Sequence, residues 1–215
     1  MATLALDDSS MRTPTARAAF LLVGLCLTCC AGPHFASEFV AAVHDLPPGQ
    51  VCRLTFLDGE IVRYFAPTAL GDIPADARRT ANDYVQPGGR LLYAGREWGP
   101  EGVGFRLVKE YDGRAGTRPT RRSVLVTADG TVLSRSHEIA QEESPAGALE
   151  TVAREKLGAV VRLEVIQRAP EEEVRYAFEI VDDQGRRWTV VCTGSGEIRE
   201  RGRLVDAELG VSHSN

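Results

Sequence analysis

The chain has 215 residues, of which 43% are hydrophobic, and its formal net charge is −5 at pH 7. A chain of this length forms one domain or two small ones, and this apolar content suffices for a folded core. The acidic balance argues against nucleic acid as a partner, because proteins that bind it usually carry a marked basic excess.

The first 32 residues are predicted to be an export signal. Arg12 and Arg17 precede an apolar run from Ala18 to Gly32, which is shorter than a membrane-spanning helix and typical of the hydrophobic part of a secretory signal. The first ten residues are acidic, whereas a secretory signal usually begins with a basic segment. The initiator is therefore either Met1 or Met11. We therefore expect an exported protein, either periplasmic or anchored in the cell envelope.

The end of this signal fits attachment of a lipid anchor. The sequence Leu-Thr-Cys-Cys ends at Cys30 and resembles the cleavage box of a bacterial lipoprotein, in which the lipid is attached to the cysteine. Cys29 stands where such a box usually has a small residue. Ordinary cleavage nearby, or an uncleaved anchor, would fit the same residues, so contact with a membrane through the signal or a lipid stays open.

Two cysteines remain in the predicted mature chain, Cys52 and Cys192. An oxidising compartment would permit a disulfide between them. The alternative is two buried thiols, since free cysteine behaves as a small apolar residue. Neither a Cys-x-x-Cys pattern nor a cluster of histidines occurs in the mature segment, so the sequence predicts no metal site.

Short helices and hairpins are predicted in chain order after the signal. Residues 36–46 have apolar positions at helical intervals and end at two prolines. Strand-like runs then flank Asp58-Gly59, a strong hairpin signal. A helix is predicted to begin near Pro74 and to be followed by three strands, the last of which turns at Asp129-Gly130.

The same order recurs in the second half of the chain. Aligning Pro74 with Pro145 also aligns Leu107 with Phe178 without a gap, so a unit of one helix and three strands is predicted to occur twice. The predicted divisions are a signal (1–32), a shortened helix-hairpin unit (33–71), two repeats (72–140 and 145–205) and a tail (206–215).

Strand alternation predicts a sheet with one apolar and one charged face. The apolar residues are expected to face the helices; they include Val161, Leu163, Val174, Tyr176, Phe178 and Ile180. The opposite face supplies the candidate binding residues, which are Tyr93, Arg106, Arg162, Glu164, Arg175 and Glu179. Because nothing in the sequence supplies a second layer over this charged face, we expect it to be open.

From Asp72 to Leu204 the sequence resembles PepSY-like domains, a family that includes the similar tandem fold of β-lactamase inhibitory proteins. The matching motifs are Tyr176 to Ile180 and Asp129 to Val132, while Gly194-Ser195-Gly196 lacks the usual acidic residue before glycine. The resemblance implies an α+β fold of tandem αβββ units whose helices pack on one face of an antiparallel sheet. It also implies a place outside the cytoplasm and a role in binding or restraining envelope proteins, with no catalytic residues and no cofactor.

Three classes of function follow. The leading hypothesis is a non-enzymatic envelope protein that binds a protein or peptide through the open face of its sheet. The second is an envelope sensor that binds a small ligand or a metal ion. The third is a hydrolase, although the sequence contains no nucleophile elbow, P-loop, HExxH or Rossmann fingerprint.

Overall fold

The structure, a computed structural model, describes residues 51–85, 87–113, 119–168 and 174–210. Within these ranges the chain forms ten β-strands, two α-helices and two short 3-10 turns. The strands are β1 Val51–Leu57, β2 Glu60–Pro67, β3 Arg90–Gly99, β4 Gly102–Tyr111, β5 Thr120–Val126, β6 Val132–Glu138, β7 Ala159–Arg168, β8 Arg175–Val181, β9 Arg187–Thr193 and β10 Ile198–Gly210. The helices are α1 Ala75–Tyr84 and α2 Ala146–Glu155, and the 3-10 turns are Leu70–Asp72 and Gln141–Glu143.

All ten strands belong to one closed antiparallel barrel. Around the barrel the order is β1-β10-β9-β8-β7-β6-β5-β4-β3-β2, and β2 pairs with β1 to complete the ring. The first and last strands pair from Val51 opposite Gly210 to Leu57 opposite Leu204. The last strand therefore includes residues 206–210, which belong to the segment that the sequence predicts as a tail. Closure leaves none of these strands with an unpaired edge.

The predicted fold class is wrong. An α+β tandem of αβββ units would place helices on one face of an extended sheet, whereas this protein is mostly β, with two short helices outside a single barrel. The resemblance to tandem PepSY-like units is overturned by the same finding. The hairpin turns predicted at Asp58-Gly59 and Asp129-Gly130 are present, with positive φ angles of 91° at Gly59 and 87° at Gly130.

Two buried apolar clusters lie between the helices and the outer wall of the barrel. Ala77 and Ala81 of α1 belong to one buried cluster with strand residues such as Leu107. A second buried cluster joins Ala148 of α2 to residues such as Phe178. Because successive side chains of a strand point to opposite faces, the residues that alternate with these apolar ones point into the barrel.

A β-bulge in β7 changes one detail of the predicted alternation. The pairing register with β8 shifts between Val160 and Arg162. Val160 packs against the second buried cluster, whereas Val161 is 39% exposed. The prediction that Val161 faces a helix is therefore wrong, because the extra residue of a bulge reverses the alternation locally.

In the described part of the chain, neither helix is long and apolar enough to cross a membrane. The predicted signal, the lipid-attachment candidate Cys30 and the helix predicted over residues 36–46 lie outside the described residues.

Candidate functional site in the barrel lumen

The interior of the barrel holds a cavity of about 280 Å³. Its wall includes all six residues predicted as an open binding face, namely Tyr93, Arg106, Arg162, Glu164, Arg175 and Glu179. These residues do share one face of the sheet, but closure of the barrel turns that face inward. The expectation that this face is open is wrong, since the opposite wall of the same barrel covers it. Their role in binding stays a prediction.

The lumen is lined with charged side chains, and arginine is in excess. The described residues contribute nine arginines, Arg53, Arg63, Arg106, Arg121, Arg122, Arg162, Arg168, Arg175 and Arg187. They contribute six carboxylates, Glu97, Glu101, Glu164, Glu179, Glu200 and Asp206. A concave site with an excess of one sign of charge concentrates ions of the other sign, so this lumen favours anions.

The best-defined contact in the lumen joins Arg106 of β4 to Glu97 of β3. Arg106 donates from Nε to Glu97 Oε2 at 2.8 Å and from Nη2 to Glu97 Oε1 at 2.6 Å. Its Nη1 also donates to Ser123 Oγ at 3.0 Å. Burial alone would lower the pKa of Arg106, but the attraction of Glu97, its hydrogen bonds with Arg106 and the attraction of Glu101 together outweigh burial and raise that pKa above its usual value. Arg106 therefore stays charged.

A second ionic network joins three of the predicted residues. The Nε atom of Arg162 lies 2.7 Å from Glu138 Oε1, and its Nη2 donates a hydrogen bond to Glu164. Its Nη1 lies 3.9 Å from Glu179 Oε2. Arg187 also donates from Nε to Glu179 Oε1 at 2.8 Å. Arg162, Glu164 and Glu179 are thus held together by direct contacts.

We call the third group of charges the hairpin-end cluster and define it as Arg63, Glu101, Arg168, Arg175 and Glu200. Arg63 Nη2 donates to Glu101 Oε1 at 3.3 Å, and Arg168 Nη2 lies 3.9 Å from the same oxygen. Within the described ranges, no carboxylate forms an ion pair with Arg175, and the buried Nε of Arg175 has no hydrogen-bond partner. This cluster is less completely paired than the other two.

The two carboxylates of the hairpin-end cluster differ in pKa. Burial alone would raise the pKa of Glu101, but Arg63, Arg106 and Arg168 outweigh burial and hold that pKa below its usual value. Burial also raises the pKa of Glu200, and there the attraction of Arg63, Arg168 and Arg175 offsets it only in part. On acidification, Glu200 is thus protonated before Glu101.

Tyr93 lies on β3 between the ionic networks. Its ring meets that of Phe65 edge-on, with 5.2 Å between the centroids. Burial is the main cause that raises the pKa of its hydroxyl above the usual value. Tyr93 is therefore a neutral side chain in the lumen at physiological pH, and its side chain is 37% exposed.

The two cysteines for which the sequence left a disulfide possible are both buried, and each keeps its thiol. Cys52 lies on β1 and Cys192 on β9, and β10 runs between these strands. Of the two alternatives that the sequence left open, two buried thiols describe the structure. Within the described ranges, no group of three or more His, Cys, Asp or Glu side chains is arranged to hold a metal ion.

Several lumen residues were missed by the sequence prediction. Glu97 lies on the same face of β3 as Tyr93, four residues further on, so alternation could have found it. Glu101 follows β3 in a turn, and Glu200 follows a register shift in the pairing of β10 with β9. Alternation does not extend through a turn or a bulge, so only the structure shows that these two carboxylates enter the lumen.

Comparisons with known proteins show limited similarity. No family model matches the chain, and no curated protein matches it. A DUF2874 family protein from Bacteroides uniformis is similar in structure, with a TM-score of 0.44 and 14% identity over 60% of this chain and 88% of the other. A second DUF2874 family protein, from Bacteroides ovatus, has a TM-score of 0.44 and 10% identity over 62% of this chain and 89% of the other.

A third solved structure, from Bacteroides eggerthii, is described provisionally as a periplasmic protein. It has a TM-score of 0.42 and 14% identity over 60% of this chain and 88% of the other.

Proposed function

We propose that the chain is a non-enzymatic, exported envelope protein that binds a small anionic molecule inside its barrel. The observation that carries this proposal is the cavity of about 280 Å³ whose wall holds more arginines than carboxylates. Export is supported by the predicted signal in residues 1–32. The proposal keeps the predicted contact residues, but the ligand is a small anionic molecule rather than a protein or peptide.

The size of the cavity favours a small molecule over a protein. At about 30 Å³ for each water, the cavity has room for roughly nine water molecules. Pockets for drug-sized ligands usually measure 300–1,000 Å³, so this volume lies at the small end. A protein partner would have to open the barrel to touch the side chains that point inward. Binding of a protein or peptide through this sheet face therefore has less support than binding of a small ligand.

A thermal-shift screen of the purified protein would test the proposal. Small anionic, neutral and cationic molecules of similar size are compared at constant ionic strength, and each molecule that stabilises the protein is then titrated by calorimetry. We expect saturable binding of anions only. A ligand present at 100 times its Kd stabilises the folded state by about 2.7 kcal/mol, which is a readily measured shift.

Two matched variants show whether the ligand enters the lumen. Ala177 lines the cavity, so Ala177→Trp should fill it and abolish binding. Val161 is exposed and is not part of the cavity wall, so Val161→Trp should bind as the native protein does. The proposal is wrong if no anion binds, or if a folded Ala177→Trp variant binds anions with native affinity.

A further inference from the structure

We infer that an oxyanion group of the ligand binds at the hairpin end of the lumen between Arg168 and Arg175, and that Glu200 takes up a proton when it binds. The inference rests on the proposed function and deepens it, because it names the residues, the chemical group that they recognise and a dependence on pH.

The availability of guanidinium groups points to this end of the lumen. Arg106 and Arg162 each lie within 2.7 Å of a carboxylate oxygen, and Arg187 lies 2.8 Å from one. In contrast, the carboxylate nearest to Arg168 is 3.9 Å away, and Arg175 has no ion-pair partner among the described residues. An arginine already held by carboxylates has fewer donors left for a ligand. Arg53 and Arg122 also line the cavity without an ion pair among the described residues, but neither has a buried nitrogen that lacks a hydrogen-bond partner. The buried Nε atoms of Arg168 and Arg175 do lack one, so these two arginines are the best placed to bind an anion.

The strand register places these two arginines as a pair. Arg175 on β8 is opposite Ile166 on β7, and Arg168 is two residues beyond Ile166 on the same face of the strand. Diagonal neighbours of this kind are roughly 7–8 Å apart at the backbone, within reach of long side chains. Guanidinium groups bind carboxylate and phosphate oxygens through charge-assisted hydrogen bonds, often two at a time. An oxyanion between Arg168 and Arg175 would also provide the buried Nε of Arg175 with an acceptor.

Glu200 couples the binding of the oxyanion to the uptake of a proton. Like Arg175, it makes no ion pair with any of the described residues, and the charged groups around it are Arg63, Glu101, Arg168 and Arg175. An ionised Glu200 would repel a bound oxyanion and would compete with it for the same arginines. Because burial already raises the pKa of Glu200, the arrival of a second negative charge favours its protonation. Linkage then requires the reciprocal effect, so acidification strengthens binding.

Sulfate is the first probe for the test, because it keeps both charges across mildly acidic and neutral pH. Its binding to the purified protein is measured by calorimetry at pH 5 and at pH 7.5 with constant ionic strength. We expect tighter binding at pH 5, and proton uptake that appears when the titration is repeated in buffers of different ionisation enthalpy. A separate titration with malonate at pH 7.5 distinguishes a carboxylate ligand from a tetrahedral oxyanion such as phosphate.

Variants of single residues identify the groups involved. Arg175→Gln should weaken binding roughly tenfold or more, because a hydrogen bond to a charged group is lost. Glu200→Gln should bind more tightly than the native protein at pH 7.5 and should lose the proton uptake. Glu208→Gln is the matched control, since Glu208 is exposed on the same strand and is not part of the cavity wall. It should leave both the affinity and the proton uptake unchanged.

The outcomes separate this inference from the proposed function. If anions bind the native protein and Ala177→Trp abolishes binding, but Arg175→Gln binds normally, the ligand lies elsewhere in the lumen and the inference is wrong. It is also wrong if Glu200→Gln keeps the native proton uptake. If no anion binds the native protein at either pH, both the inference and the proposed function fail.

Discussion

Arg106 and Glu97 form a two-point ion pair inside the barrel, with donor–acceptor distances of 2.8 and 2.6 Å. Their side chains are only 9% and 4% exposed. A barrel interior filled by apolar side chains would leave no room for a polar ligand. Here two apolar clusters lie under the helices. The lumen contains apolar side chains such as Val108 together with ion pairs, and Arg106–Glu97 is the most completely buried pair among the described residues.

The first prediction concerns this pair. Glu97→Ala should lower the free energy of unfolding by about 3–5 kcal/mol, because it leaves Arg106 buried without its main partner. Replacing both residues by leucine should restore much of that loss, because Arg106 is removed with its partner and Arg63, which also contacts Glu97, keeps Glu101 as a partner. Urea unfolding measures both effects, and Glu208→Ala, expected to change stability by at most about 0.5 kcal/mol, is the control. A cost for Glu97→Ala no larger than that of the control would contradict the prediction.

The second prediction concerns Glu101, whose pKa is lowered in the folded state because its arginine neighbours outweigh its burial. A lowered pKa contributes stability that is present above the usual glutamate value and is lost as the pH falls through the folded-state pKa. Glu101→Gln should therefore destabilise the protein at pH 7, and the difference should shrink on acidification. Urea unfolding at a series of pH values measures it. A difference that does not change with pH would count against this account.

The third prediction concerns Glu200, for which the sign is reversed. Its pKa is raised mainly by burial, so its contribution to stability is complete below the usual glutamate value and is lost as the pH rises through the folded-state pKa. Glu200→Gln should be more stable than the native protein at pH 7 and should lose this advantage in acid. The same unfolding series measures this effect. Equal stability of the variant and the native protein at every pH would show that the fold does not raise the pKa of Glu200.

The fourth prediction concerns the close approach of β2 and β3. Gly95 pairs with Pro67, and a Cβ atom at Gly95 would overlap the backbone oxygen of Ala66 and the ring of Phe65. Gly95→Ala should therefore cost about 1–3 kcal/mol, as overpacking usually does. Gly71→Ala is the matched control, because no heavy atom lies within 4 Å of the added carbon. Thermal unfolding of the two variants should separate them clearly; similar melting temperatures would be the contrary result.

The fifth prediction concerns the buried thiols. Cys52 and Cys192 are not joined in a disulfide, and burial raises the pKa of Cys192, which reduces the fraction of reactive thiolate. Alkylation without a reducing agent should be slow at both residues in the folded protein and rapid in denaturant. Peptide mass spectrometry identifies the modified residues. A Cys52–Cys192 cross-linked peptide in the oxidised protein would contradict the structure.

Much of the local structure was predictable. Asp58-Gly59 and Asp129-Gly130 form hairpin turns because glycine accepts a positive φ at little cost. Alternation also grouped Arg162, Glu164, Arg175 and Glu179 on one face, and all four line the lumen. It failed at Val161, where a bulge inserts an extra residue. Side-chain direction along a regular strand is a local property, whereas a bulge depends on the partner strand.

The sequence by itself determined where the strands and their hairpin turns lie, and which side chains share a face of a strand. These features depend on neighbours only a few residues apart. The tertiary structure decided whether that face was open or enclosed. Thr55 pairs with Asp206 across the seam that joins the first strand to the last. No periodicity within one strand encodes a pairing at such a separation. That pairing alone converts an exposed charged sheet face into an arginine-rich lumen.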